Sequence, residues 1–158
     1  MSTQIHFQDI EHIIRETLDM GKAFKISPNG ASMLPLIVQG RDSVYIKKPH
    51  GRLKKYDIAF FKRRTGEFIL HRVVKVKKDS YTMCGDHQYI FEDGIHDCDI
   101  IGVVSKLIIN GKTVLPTDPG YRRYVFLRVN TITLRRNFAM IKNFIKSRIK
   151  RTKKTVSK

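Results

Sequence analysis

The chain has 158 residues, enough for one domain with an appendage, and its 41% hydrophobic and 28% charged residues exclude a disordered or fibrous protein. The net charge of +17 is unevenly placed: 13 of the 31 Lys+Arg and none of the 14 acids fall from Pro119 to Lys158, which leaves 18 against 14, a net +4, for residues 1–118. No run reaches the about 18 apolar residues of a spanning helix. Residues 1–30 lack an apolar signal region, so the expected compartment is the cytoplasm, and two cysteines are too few for a disulfide framework.

Ile10, Ile13, Ile14 and Leu18 recur at helical spacing, and Gly21 suits the position just past a helix end, which predicts a short N-terminal amphipathic helix within 1–24. The period then changes to two. Asp42–Lys47, Ile58–Phe61, Phe68–Val76, Ser80–Cys84, Ile100–Ile109 and Lys112–Leu115 read as strands, with turns at Arg64-Thr-Gly66 and Asn110-Gly111. No helices interleave them, so a mainly antiparallel β domain is expected over 25–118. Pro116, Pro119 and Gly120 mark a boundary.

From 119 to 158 a basic amphipathic helix and tail are expected. Leu134, Phe138, Ile141, Ile145 and Ile149 share one face, with Arg135, Arg136, Lys146 and Lys150 on the other. Such a helix can cover the β body, attach to an anionic membrane surface, or dock on nucleic acid or an acidic partner. Covering the body is the favoured reading. Tyr121, Tyr124 and Phe126 interleave with Arg122 and Arg123, a pattern that packing on the body explains better than base stacking.

Three segments carry chemistry. Asn29-Gly-Ala-Ser-Met-Leu-Pro35 offers a serine preceded by a glycine that permits a tight turn. A serine hydroxyl attacks a carbonyl only with a base to take its proton and donors for the oxyanion. Leu70-His-Arg-Val-Val-Lys-Val76 puts His71 on a strand, facing away from Leu70 and Arg72. Cys84-Gly-Asp-His-Gln88 follows. Serine, histidine and aspartate in that order can form a triad, since triads are defined by geometry.

Together these segments resemble the signal peptidase and LexA-type serine peptidase clan. Its boxes match Ser32-Met33-Leu34-Pro35, Tyr56-Asp57-Ile58-Ala59-Phe60, His71-Arg72-Val73-Val74 and Gly85-Asp86, over about Ile26 to Val104. The resemblance implies a signal peptidase/LexA-like antiparallel β fold, Ser32 as nucleophile and His71 as general base. Histidine in that place is similar to the endoplasmic-reticulum and archaeal type, and it titrates near pH 7 without the desolvation a neutral lysine needs. Lys75 lies about 13 Å further along the strand, too far to substitute. For the acid, Asp86 matches the late Gly-Asp box, while Asp93 lies near where His-type peptidases carry theirs; Asp86 is preferred and Asp93 stays open. Gly30 stands where bacterial signal peptidases often carry a serine, so the oxyanion loop Gly30, Ala31 and Ser32 would act through backbone amides, chiefly that of Ser32.

The implied activity is a soluble serine endopeptidase that cleaves a leader or signal-like peptide bound in extended form. The implied partner is that peptide; the C-terminal helix's own basic amphipathic pattern offers an anionic membrane surface as a second, less favoured one. Without a helix-turn-helix ahead of the β domain, a DNA-reading role lacks its usual half. The rival is a non-catalytic module that keeps the clan's groove for a peptide or partner. Cys84, His87, His96 and Cys98 suggest zinc, but only the first pair has ordinary ligand spacing, so no metal or cofactor is assigned.

Overall fold

The computed structural model describes residues 7–141. Helix α1 (Phe7–Asp19) ends as its sequence predicts. Gly21 adopts φ +74°, its amide donates to Leu18 O and that of Lys22 to Thr17 O, the paired bonds that close a helix on a left-handed residue. Ile14 and Leu18 are buried, whereas Ile13, expected on the same stripe, is exposed.

Eight strands follow: β1 (Phe24–Ile26), β2 (Ser43–Lys47), β3 (Ile58–Lys62), β4 (Phe68–Val76), β5 (Tyr81–Cys84), β6 (Glu92–Ile95), β7 (Ile100–Ile109) and β8 (Lys112–Val114). They form one antiparallel sheet in the order β1-β2-β7-β3-β4-β5-β6, with β8 also on β7. The ten-residue β7 organises the sheet. One of its edges pairs with β2, and the other takes β3 near its start and β8 near its end. The β7–β8 hairpin turns at Asn110 and Gly111, both at positive φ, the two-residue turn that matches strand twist.

Alternation sorts the strands into separate cores. Ile14 and Leu18 of α1 close on Val44, Ile46, Phe60 and Leu107. A methyl at Gly102 would stand 3.0 Å from Ile46 Cδ1 and 3.2 Å from Leu18 Cδ1, so the helix seats where β7 has no side chain. Ala59, Phe61, Val73, Tyr81 and Met83 form a second cluster.

Beyond β8 the described residues make two helices where the sequence predicted one. The first, α2 (Pro119–Asn130), opens with proline at its start, and a second helix runs over 132–141 after a break at Thr131. Val125, Val129 and Ile132 bury against Cys84, and Tyr121 and Tyr124 flank them. The apolar face Leu134, Phe138 and Ile141 was expected to cover the body. Instead it points outward and is exposed, because Ile132 and Arg135 occupy the inward side. Ile145 and Ile149, the rest of that predicted face, lie outside the described residues. Among the described residues no helix is long and apolar enough to cross a membrane.

Candidate active site

Ser32 sits in a compact turn between β1 and β2. Met33 and Ile37 plug the turn into the core, joined by a bond from the Ile37 amide to Met33 O, while Ser32 itself stays half-buried. Gly30 adopts φ +91°, a conformation that glycine accepts freely. Its amide donates to Gln39 Oε1 at 2.7 Å, so of the three loop residues singled out from the sequence, Gly30 already has an internal partner.

The turn is docked on Gly85. The His87 amide donates to Ser32 O at 2.8 Å, and a methyl on Gly85 would meet Ser32 O at 2.5 Å and Ser32 Cβ at 3.1 Å. Gly85 lies one residue past the Arg72↔Cys84 pair of β4 and β5, which aligns it with His71. Residues opposite one another on antiparallel strands project to the same face. Gly85 thus joins the Ser32 turn to the position opposite His71, while Met33 and Ile37 of the same turn pack in the core that holds Ile58, Phe60 and Leu70. No hydrogen bond joins the Ser32 and His71 side chains in this conformation.

His71 is buried on β4, its ring 6.2 Å from that of Phe61. Burial pushes the imidazole down to about 4, opposed by the nearby Glu92 carboxylate and reinforced by the Arg63 guanidinium. The unperturbed value near 7 anticipated from sequence therefore does not describe this imidazole. Among the described residues its Nδ1 has no hydrogen-bond partner; Glu92 Oε2 is 3.7 Å away, too long for a bond but close for an ion contact. Arg63 holds Glu92 by a fork, Nε–Oε1 at 2.6 Å and Nη2–Oε2 at 2.8 Å.

The two acids proposed from sequence lie elsewhere. Asp86 is buried on the opposite face in a bidentate pair with Arg72, Nε–Oδ1 and Nη2–Oδ2 both 2.7 Å. Arg72 and Cys84 alternate with His71 and Gly85, so Asp86 follows the arginine and not the histidine. Tyr124 donates to Asp86 Oδ2 at 3.1 Å. Arg72 also reaches Tyr56 O at 2.9 Å and Tyr121 OH at 3.0 Å. Asp93 is exposed, held by Lys77 Nζ at 2.6 Å and Thr82 Oγ1 at 2.5 Å; the Lys77 bond keeps its carboxyl below the usual range. Neither aspartate hydrogen-bonds His71.

Glu92 is the carboxylate beside His71 that sequence reading missed, although parity gives its place away. Glu92 pairs with Met83, Met83 with Val73, and Val73 shares a face with His71; Asp93, one residue on, turns the other way. Finding it required knowing that Glu92–Ile95 is a strand. Its Glu-Asp-Gly-Ile sequence has no apolar alternation to announce one.

The C-terminal helices reach the same region from behind. Arg128 Nε donates to Asp86 O at 2.8 Å and Nη2 to Leu34 O at 3.4 Å, and Arg135 Nη1 reaches Asp86 O at 3.3 Å. Cys84 is buried, which pushes its thiol up to about 11, while Cys98 is exposed. Among the described residues no three His, Cys, Asp or Glu side chains converge as metal ligands.

No protein-family model, curated protein or solved structure matches the chain.

Proposed function

We propose that this chain is a serine endopeptidase similar to the signal peptidase/LexA clan, acting on a leader or signal-like peptide bound in extended form. The observation that carries the reading is the seating of Ser32 on side-chain-less Gly85, in register with His71, with Glu92 behind the imidazole. With Nδ1 turned to Glu92, Nε2 is the nitrogen left for Ser32. Ser32 Oγ bonds to the peptide carbonyl carbon while its proton passes to His71. Backbone amides of Ala31 and Ser32 would face the oxyanion, as Gly30 is engaged with Gln39. When the C–N bond breaks, the amine leaves with the proton from His71. Water then hydrolyses the acyl ester by the same relay. Glu92 would stabilise the imidazolium formed midway, closing from 3.7 Å as the site tightens on substrate.

The test is cleavage of a leader-peptide library, read by mass spectrometry, with Ser32→Ala, His71→Gln and the double variant. Groups acting as a unit lose non-additively, so each single variant should lose nearly all activity and the double hardly more. Undiminished cleavage by Ser32→Ala would exclude a serine peptidase. Binding without cleavage by the wild type would instead favour a non-catalytic peptide module.

A further inference from the structure

Helix 132–141 is mounted inside out. At about 100° per residue, Ile132, Arg135 and Ala139 point one way and Leu134, Phe138 and Ile141 the other. The first set meets the protein: Ile132 is buried with Val125 and Val129, and Arg135 donates to the carbonyls of Asp86 and Arg128. The second set faces away, with Leu134 57%, Phe138 70% and Ile141 55% exposed. An aligned apolar row turned away from the core marks an interaction surface.

Charge selects the partner. From Pro119 to Lys158 the sequence has thirteen basic residues and no acid, and Arg122, Arg123 and Arg136 of the same arm are exposed. A second copy of the chain would bring like charges face to face. A nucleic acid would match the charge and offer Phe138 a base to stack on, but it gives Leu134 and Ile141 nothing apolar to enter. An anionic bilayer supplies both an acyl boundary for the row and headgroups for the arginines.

We propose that the outward row Leu134/Phe138/Ile141 docks this protein on an anionic lipid bilayer. The inference goes beyond the peptidase reading and uses none of its residues. Arg128 ties the same arm to Leu34 O of the serine turn, and Arg135 lies over the Tyr89 ring at 5.6 Å, beside exposed Ile90. A docked arm therefore stays linked to the Ser32 turn.

The test is co-sedimentation of the full chain with vesicles of phosphatidylcholine plus phosphatidylserine, or of phosphatidylcholine alone. Binding is expected to the anionic vesicles only, and to weaken as salt rises. Replacing Leu134, Phe138 and Ile141 by serine keeps every charge and should cost roughly tenfold in affinity per residue, with thermal unfolding as in wild type. Arg122→Gln and Arg123→Gln should each cost about fivefold. Absence of binding to anionic vesicles overturns the proposal. So does a serine triple variant that binds them like wild type, which would mark a general polyanion surface. A triple variant that unfolds would make the row part of the core, and a wild-type dimer split by those substitutions would make it a self-interface; either result also refutes lipid docking.

Discussion

Between pH 7 and pH 4 the protein should lose stability through His71. The imidazole titrates at about 4 when folded, against 6.5 for an exposed histidine, because burial opposes its charge. As pH falls, the unfolded chain takes the proton first. The contribution is therefore complete above pH 6.5, shrinks through the interval and is gone once pH drops below 4. A difference of about 2.5 pK units at about 1.4 kcal/mol each gives about 3 kcal/mol. Glu11, Asp42 and Glu67 also titrate from lowered values, so wild type alone cannot isolate the effect. The comparison is urea unfolding of wild type and His71→Gln at steps from pH 7 to pH 4. The stability gap between the two should change in favour of the variant by about 3 kcal/mol as pH falls. Cleavage should correspondingly persist into mild acid rather than decline below pH 7, since the base stays unprotonated. A gap constant within 1 kcal/mol, or a ring resonance of His71 titrating near 6.5, would refute the argument from burial.

Asp86→Asn should be a stability variant first: it leaves Arg72 buried without its counter-charge, at a cost of about 3–5 kcal/mol in urea unfolding, and a loss under 1 kcal/mol would show the pair to be dispensable. Gly85→Ala pushes a methyl to 2.5 Å from Ser32 O, so turnover should fall roughly 100-fold for a displacement under 1 Å; wild-type turnover would mean the seating of Ser32 does not position it. Glu92→Gln should lower kcat with the fold intact, whereas Asp93→Asn on the other face should leave it within a few-fold, and the reverse result in steady-state kinetics would favour Asp93 over Glu92 as the partner of His71.

Strands that announce themselves do so by burial. Val44 and Ile46, Phe60 and Leu70, and Val73 and Met83 bury at alternating or paired positions, so period and composition reveal them. Glu92–Ile95 buries only Ile95 and was illegible until β5 offered it an edge. The same gap hid Glu92. Ser32 and His71 could be proposed because each lies in a distinctive local segment; the carboxylate beside His71 could not, because its placement depends on registers across three strands. The C-terminal arm failed differently. Its apolar periodicity was correctly read over 134–141, but periodicity says which residues share a face and not which face turns inward. That choice falls to Arg135 and Ile132, whose partners lie far away in sequence.

Arg72 has a consequence for the order in which the protein can fold. Its guanidinium is fully buried and is satisfied by Tyr56 O, the Asp86 carboxylate and Tyr121 OH, from positions 16, 14 and 49 residues away. No single hairpin supplies all three. A partly assembled sheet would hold an incompletely solvated cation, so intermediates with β4 formed and α2 absent are disfavoured. Opening of α2 should then expose that charge and loosen β4 and β5 with it, making the arm and the sheet one cooperative unit. Amide hydrogen exchange tests this directly. Protection of Val125 and Val129 should match that of Val73 and Met83, and an arm that exchanges many kcal/mol more easily than the sheet would show that Arg72 tolerates losing Tyr121.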